Sequence, residues 1–154
     1  MEIKFNEDSF NKLFPFYILI DSSLKIQSFG KSIAKIYTNI STSHLFLDYF
    51  EVRKPNIEIQ TFQDLITTIN QQSEIIFRNN KIALRGQFEL IDGLMLFVGN
   101  PVFNCVNQLV ETEITPNDFA THDPLLDLIE VHNTHEKISK TLKNIKNIEK
   151  YQKH

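Results

Sequence analysis

The chain has 154 residues, a net charge of −3 at pH 7, 42% hydrophobic residues and 23% charged residues. This length allows one domain with a hydrophobic core, and the slightly negative charge does not create the positive field that recruits nucleic acid. No apolar run approaches the roughly 20 residues of a membrane-spanning helix, and the N-terminus lacks the pattern of a secretion signal. The single cysteine, Cys105, permits no internal disulfide, which fits a reducing cytoplasm.

Residues up to Gly30 predict an antiparallel β-hairpin. Residues 16–20 alternate aromatic and aliphatic side chains, and residues 24–28 alternate apolar and polar ones, as strands with one buried face do. Residues 21–23, Asp-Ser-Ser, are turn formers because their short polar side chains bond nearby backbone groups.

Three short helices are predicted in the next part of the chain. Residues 31–37 form the first, and residues 44–50 are apolar enough to form the second, which runs into an extended segment at residues 51–55. Thr61 opens the third helix, because its side chain and that of Asp64 have the spacing of a capping box.

Three antiparallel strands are predicted at residues 73–78, 82–91 and 94–99. The pair Asp92-Gly93 between the last two strands is typical of a type I′ turn, which needs positive φ at both central residues. The middle strand alternates apolar and polar side chains, which predicts one buried face and one solvated face.

The last of these strands is apolar on both faces. We expect Leu94, Leu96 and Val98 to face the core, which places Met95 and Phe97 on the outer face. An apolar outer face needs a cover, either a second subunit or the terminal helix.

A long C-terminal helix is predicted from Asp123-Pro124, since proline suits a first helical turn. Its apolar positions then recur every three and four residues, as in a coiled-coil seam. We therefore divide the chain into a globular domain at residues 1–121 and a connector helix at residues 122–154. The seam consists of Leu128, Val131, His135, Ile138, Leu142, Ile145 and Glu149.

Several motifs resemble those of one family. The segment FNKLFPFYILIDSSLKIQSFGKSIAKI, at residues 10–36, matches the pattern FxxLFPFxxxxDxxLxIxxxGxSLAKI with Ile33 in place of leucine. Further along, HLFLDYFEVRKP resembles FFDLFRIxRP, LRGQF resembles part of LxLKGQM, LFVGNP resembles LFLxSP, and NDFATHDPLLDL resembles SDIPxHDATRDLVL. The chain thus resembles the haem-nitric-oxide-binding-associated (H-NOXA) domain, a PAS-like module of soluble guanylate cyclases and some bacterial histidine kinases.

This resemblance implies an α+β, PAS-like fold, with a five-stranded antiparallel sheet, short helices on one face and a long coiled-coil-type helix at the C-terminus. It also implies a non-catalytic, cytoplasmic relay that forms a homodimer. Its partners would be an upstream haem gas-sensor domain or protein and a downstream histidine kinase or guanylate cyclase output domain. Since neither sequence is present here, we expect the chain to be part of a longer signalling protein.

The predicted dimer interface combines the outer sheet face with the helix seam, and we expect no catalytic, cofactor-binding or metal-binding residue. The interface residues are Met95, Phe97, Leu128, Val131, His135, Ile138, Leu142 and Ile145. The alternative function is a PAS-type sensor that binds a small ligand in an apolar core pocket, because the chain has 13 phenylalanines. Dense aromatic packing would explain the same composition.

Four polar features have a structural and a chemical interpretation. His122-Asp123 resembles the start of a metal phosphohydrolase motif, but without further ligands we expect Asp123 to cap the long helix and His122 to lie at its joint. His132 and His135 could ligate a metal, yet a complete ligand set is missing. We expect His44 to be exposed rather than a haem ligand, and Cys105 to be unreactive because no basic residue flanks it.

Overall fold

The structure is a computed structural model that describes residues 2–103, 112–126, 138 and 140–146. The chain divides into two compact units, residues 1–120 and residues 121–154. The predictions that lie outside the described residues concern Cys105, Leu128, Val131, His132, His135 and Glu149.

A short N-terminal helix, α1 (Glu7–Leu13), was not predicted from the sequence. Asn6 caps it, because the Asn6 Oδ1 atom accepts a hydrogen bond from the Ser9 backbone N–H at 2.7 Å. Glu7 and Asp8 occupy the first turn, where a carboxylate interacts favourably with the helix dipole.

The predicted hairpin is confirmed as β1 (Ile18–Ile20) paired with β2 (Ile26–Phe29). Asp21 organises the turn between them, since its Oδ1 atom accepts hydrogen bonds from the backbone N–H groups of Ser23 and Lys25 at 2.9 and 3.0 Å. The turn residue therefore fixes the path of the chain from one strand into the next.

The three predicted short helices are present as α2 (Ile33–Ile36), α3 (Phe46–Tyr49) and α4 (Phe62–Ile66). The capping box of α4 is confirmed. Thr61 Oγ1 accepts from the Asp64 N–H at 3.2 Å, and Asp64 Oδ2 accepts from the Thr61 N–H at 3.0 Å.

The described strands form one antiparallel sheet. In it, β3 (Phe50–Lys54) is an edge strand that pairs with β4 (Ser73–Phe77). The centre contains β5 (Ala83–Ile91) and β6 (Leu94–Val102). The order of the strands across the sheet is β2-β1-β6-β5-β4-β3. The prediction of five strands is wrong by one, because the extended segment after α3 joins the sheet.

The prediction for the two faces of β6 is also wrong. Phe97 lies directly opposite Phe88 of β5, and opposite residues of an antiparallel pair share a face. Met95 and Phe97 are therefore core residues, both 0% exposed, and cannot form an intersubunit surface. The half-buried outer face of the strand instead carries Leu94, Leu96 and Val98.

A continuous cluster of phenylalanine rings fills the core between α3 and the sheet. The ring centroids lie 5.0 Å apart for Phe46 and Phe50, 4.8 Å for Phe50 and Phe77, and 5.0 Å for Phe88 and Phe97. Phe46 also meets Phe88 edge-on at 6.4 Å. These distances are typical of favourable aromatic pairs, so the structure favours dense packing as the explanation of the phenylalanine content.

One carboxylate is buried on the opposite face of β4. The Glu74 side chain is 6% exposed, and its two oxygens lie 3.0 Å from Arg53 Nη1 and 3.5 Å from Arg85 Nη2. A buried charge is tolerated when it is paired and hydrogen-bonded, so the two arginines on the neighbouring strands account for its position.

In the second unit, residues 125–126, 138 and 140–146 are helical. Ile138, Leu142 and Ile145 are 51%, 53% and 47% exposed. A continuous C-terminal coiled-coil helix remains a prediction. None of the described helices is long and apolar enough to cross a membrane.

Candidate functional site at the Gly30 loop

The loop after β2, residues 30–32, bonds to several distant parts of the first unit, and we name it the Gly30 loop. Its three consecutive backbone N–H groups all donate to the chain that precedes β1. The hydrogen bonds run from Gly30 to the Tyr17 carbonyl at 2.8 Å, from Lys31 to Asn11 Oδ1 at 2.9 Å, and from Ser32 to the Pro15 carbonyl at 3.2 Å.

Gly30 is required by close backbone packing. A Cβ atom at this position would lie 2.0 Å from the Pro15 carbonyl oxygen and 3.1 Å from the Phe16 nitrogen. A side chain cannot be accommodated unless the backbone shifts. The glycine and the Phe-Pro-Phe segment of the family pattern thus contact each other directly.

Asn11 connects α1 to the loop. It is the buried residue of the helix, 7% exposed, and its side-chain amide bonds in two directions. Its Nδ2 atom donates to the Glu7 carbonyl at 3.2 Å, while its Oδ1 atom accepts from Lys31. The nearby ion pair of Lys31 with Asp8, at 3.7 Å, is almost fully exposed and contributes little.

Asp118 connects the loop to the end of the first unit. The buried Ser32 hydroxyl donates to the Asp118 carbonyl oxygen at 2.5 Å, and Lys35 Nζ lies 3.9 Å from Asp118 Oδ1. Asp118 Oδ2 in turn accepts from the Thr115 N–H at 2.7 Å, which closes a 3₁₀ turn at Pro116–Asp118. Ser32 and Lys35 together form a clasp on Asp118, and we use that name below.

The clasp holds a segment that we name the exit segment, residues 114–120, which leads into the second unit. In this segment Ile114, Phe119 and Ala120 are buried, with exposed fractions of 9%, 6% and 2%. The Phe119 ring packs on Phe16 with centroids 5.6 Å apart. The exit segment is therefore fixed by apolar contacts and by the clasp.

The predicted cap and joint residues lie just beyond, in the second unit. Asp123 is 6% exposed, and its Oδ1 atom accepts a hydrogen bond from the Leu125 N–H at 2.9 Å. This geometry is that of a side chain at a helix start. His122 is exposed.

Two further features, a groove and an exposed histidine, are candidates for a binding or reactive site. A groove of about 370 Å³ lies beside β3 and is lined by polar as well as apolar residues, among them Glu51, Glu58 and Ile57. His44, an exposed residue, bonds to the Tyr49 hydroxyl through Nδ1 at 3.0 Å. In the part of the chain that the structure describes, no three His, Cys, Asp or Glu side chains are placed to hold a metal ion.

Sequence reasoning identified part of this site. It singled out Gly30, Ser32 and Asp118 as matches to the family pattern, but not Asn11. The signal for Asn11 was available in principle, since Asn6 followed by two acidic residues is typical of a helix start. The contact between Ser32 and Asp118 joins residues 86 positions apart, which no local pattern predicts.

Comparisons with known proteins agree with the motifs. The family model described as heme NO binding associated matches residues 3–83 and 76–153. The chain is 29% identical to rat guanylate cyclase soluble subunit beta-2 over 136 residues, which is 80% of this chain and 20% of the relative. It is 24% identical to the human protein of the same name, over 80% of this chain and 22% of the relative. The chain spans about a fifth of these curated relatives, and with nearly all of its residues matched it belongs to the heme NO binding associated family.

Proposed function

We propose that this domain is a non-catalytic signal-relay and dimerisation module of a haem- and nitric-oxide-linked signalling protein. It receives a conformational change at its N-terminal side and passes it to the C-terminal helix. The observation that carries the proposal is the Gly30 loop, which bonds α1 through Asn11 and the exit segment through Asp118. The N-terminal helix α1 and the exit segment are thus both hydrogen-bonded to the same loop.

The family supports the signalling context. The relatives are guanylate cyclase subunits about five times as long as the matched region. The partners that we propose are a haem gas-sensor domain or protein upstream, and a cyclase or histidine kinase output domain downstream. The output domain would do the catalysis.

Two apolar surfaces support dimerisation as a homodimer. On the outer face of the sheet, Leu19 of β1 lies directly opposite Leu96 of β6, and both are half-buried. In the second unit, Ile138, Leu142 and Ile145 follow the three- and four-residue spacing of a seam and are about half exposed. Burial of either surface by a second copy would remove apolar area from water.

Absolute mass, measured by light scattering over a hundredfold dilution series, tests this proposal. We expect a dimer at high concentration that dissociates on dilution. A chain that stays monomeric at the highest concentration would contradict the dimerisation part of the proposal. A replacement of Asn11 that leaves the exit segment unchanged, measured as described below, would weaken the relay part.

A further inference from the structure

The position of the clasp suggests how the relay is regulated. We infer that the Gly30 loop is a mechanical coupler, in which displacement of α1 opens the clasp on Asp118 and so releases the exit segment. This inference rests on the proposed relay function and adds to it the residues that do the coupling. Those residues are Asn11, Lys31, Ser32, Lys35 and Asp118.

Coupling follows from the arrangement of adjacent groups. The Lys31 N–H is held by α1, and the next residue, Ser32, is held by two different segments. Its N–H donates to the Pro15 carbonyl and its hydroxyl to the Asp118 carbonyl. Since these groups belong to consecutive residues, a movement of α1 that keeps the bond to Lys31 lengthens the bonds of Ser32.

The Gly30 loop has little freedom to absorb such a movement. The loop backbone already touches the Pro15 carbonyl where Gly30 passes it, and Ile33, the first residue of α2, is 0% exposed. Packed interiors tend to switch between discrete arrangements instead of deforming continuously. A shift at Lys31 is therefore transmitted to the hydroxyl of Ser32.

The exit segment can open without unfolding the sheet. None of its residues belongs to one of the six described strands, so its attachment depends on the clasp and on the packing of Phe119 and its neighbours. On opening, the Ser32 hydroxyl and the Asp118 carbonyl can both bond to water, which lowers the cost of separation. Local opening of this kind is typical of segments that lack sheet pairing.

Hydrogen exchange of the whole chain, followed by mass spectrometry, tests the coupling. The backbone N–H groups of Asp118 and Phe119 bond within the exit segment, at 2.9 and 3.3 Å, and report its opening. We expect Asn11→Ala to speed their exchange by about threefold to tenfold, because it removes both side-chain hydrogen bonds of Asn11, including the one that joins α1 to Lys31. Ser32→Ala should do the same directly, and Lys12→Ala, an exposed change on the same helix, should have no effect.

Exchange in β5 serves as the reference for global stability. Acceleration at residues 114–120 with unchanged exchange in β5 is the expected result for Asn11→Ala. Acceleration confined to residues 30–33, or spread equally over β5, would overturn the inference. If light scattering gave a monomer and hydrogen exchange still showed the coupling, the proposal of a dimer would be wrong and the coupler would stand. If light scattering gave a dimer and hydrogen exchange showed no coupling, the dimer would stand and the coupler would be wrong.

Discussion

At the scale of single residues, Gly30 is a steric requirement, whereas Gly93 is a conformational one. A Cβ at Gly30 would overlap the Pro15 carbonyl, while a Cβ at Gly93 meets no atom within 4 Å but would sit at a φ of +77°. We expect Gly30→Ala to lower the free energy of unfolding by about 3 kcal/mol or more, through forced backbone movement. Gly93→Ala should cost only about 1 kcal/mol.

Urea titration of both variants measures this difference. Equal losses for the two glycines would show that the backbone around Pro15 can relax. In that case the backbone contact between the loop and the Phe-Pro-Phe segment would not be rigid.

Asp64 should make the cap of α4 sensitive to acid. Hydrogen bonds from the Gln60 and Thr61 backbone N–H groups hold the pKa of its carboxyl below the ordinary value. A carboxylate with a lowered pKa in the folded state stabilises it fully above the unfolded pKa, about 3.9. That contribution is lost as the pH falls through the lower folded value.

Two measurements test this behaviour. An NMR titration of the side-chain carboxyl should give a pKa below that of an unstructured aspartate. Asp64→Asn should remove part of the loss of stability on acidification below about pH 4. An ordinary pKa for Asp64 would contradict the hydrogen bonds of the capping box.

At the scale of elements, the orientation of β6 shows what periodicity can and cannot decide. Both faces of this strand are apolar, so alternation alone is ambiguous. The two-residue turn resolves the ambiguity, because it pairs Ile91 with Leu94 and hence Phe88 with Phe97. The sequence contained both the turn and the core position of Phe88, and combining them would have placed Phe97 correctly.

The two faces of β6 yield a matched pair of variants. Leu96 is half-buried and lies opposite Glu89, so Leu96→Lys gains a favourable neighbour and should cost the monomer less than about 1 kcal/mol. Met95 is fully buried, and Met95→Lys should cost about 4 kcal/mol or more. Chemical denaturation checks both values, and equal costs would mean that the assignment of faces is wrong.

At the scale of the whole molecule, local patterns predicted most of the elements and their order, whereas the remaining features depend on tertiary contacts. The hairpin, helices α2 to α4 and the capping box depend on near neighbours, and the sequence analysis predicted them, whereas it did not predict α1. The edge strand β3 depends on pairing with β4, whose residues lie 20 or more positions later, and the clasp joins Ser32 to Asp118. Such contacts are set by how elements pack, which the residues of one segment do not reveal.

If the chain dimerises as proposed, the thermal stability of the whole chain should depend on its concentration. Folding that is coupled to association becomes more favourable as the protein concentration rises, so we expect Tm to increase by about 2 °C for each tenfold increase. Leu142→Lys would place a charge in the exposed apolar stripe of the helix and should reduce this dependence. Asn144→Lys adds the same charge outside that stripe and should leave it unchanged.

The same scan separates the two apolar surfaces. If the sheet face forms the interface, Leu96→Lys abolishes the concentration dependence of Tm and Leu142→Lys does not. If the helix forms it, the effects are reversed, and an interface that uses both surfaces gives a partial loss in each variant. A Tm independent of concentration in the unmodified chain would contradict dimerisation through either surface, because association of the folded form alone must stabilise it by mass action.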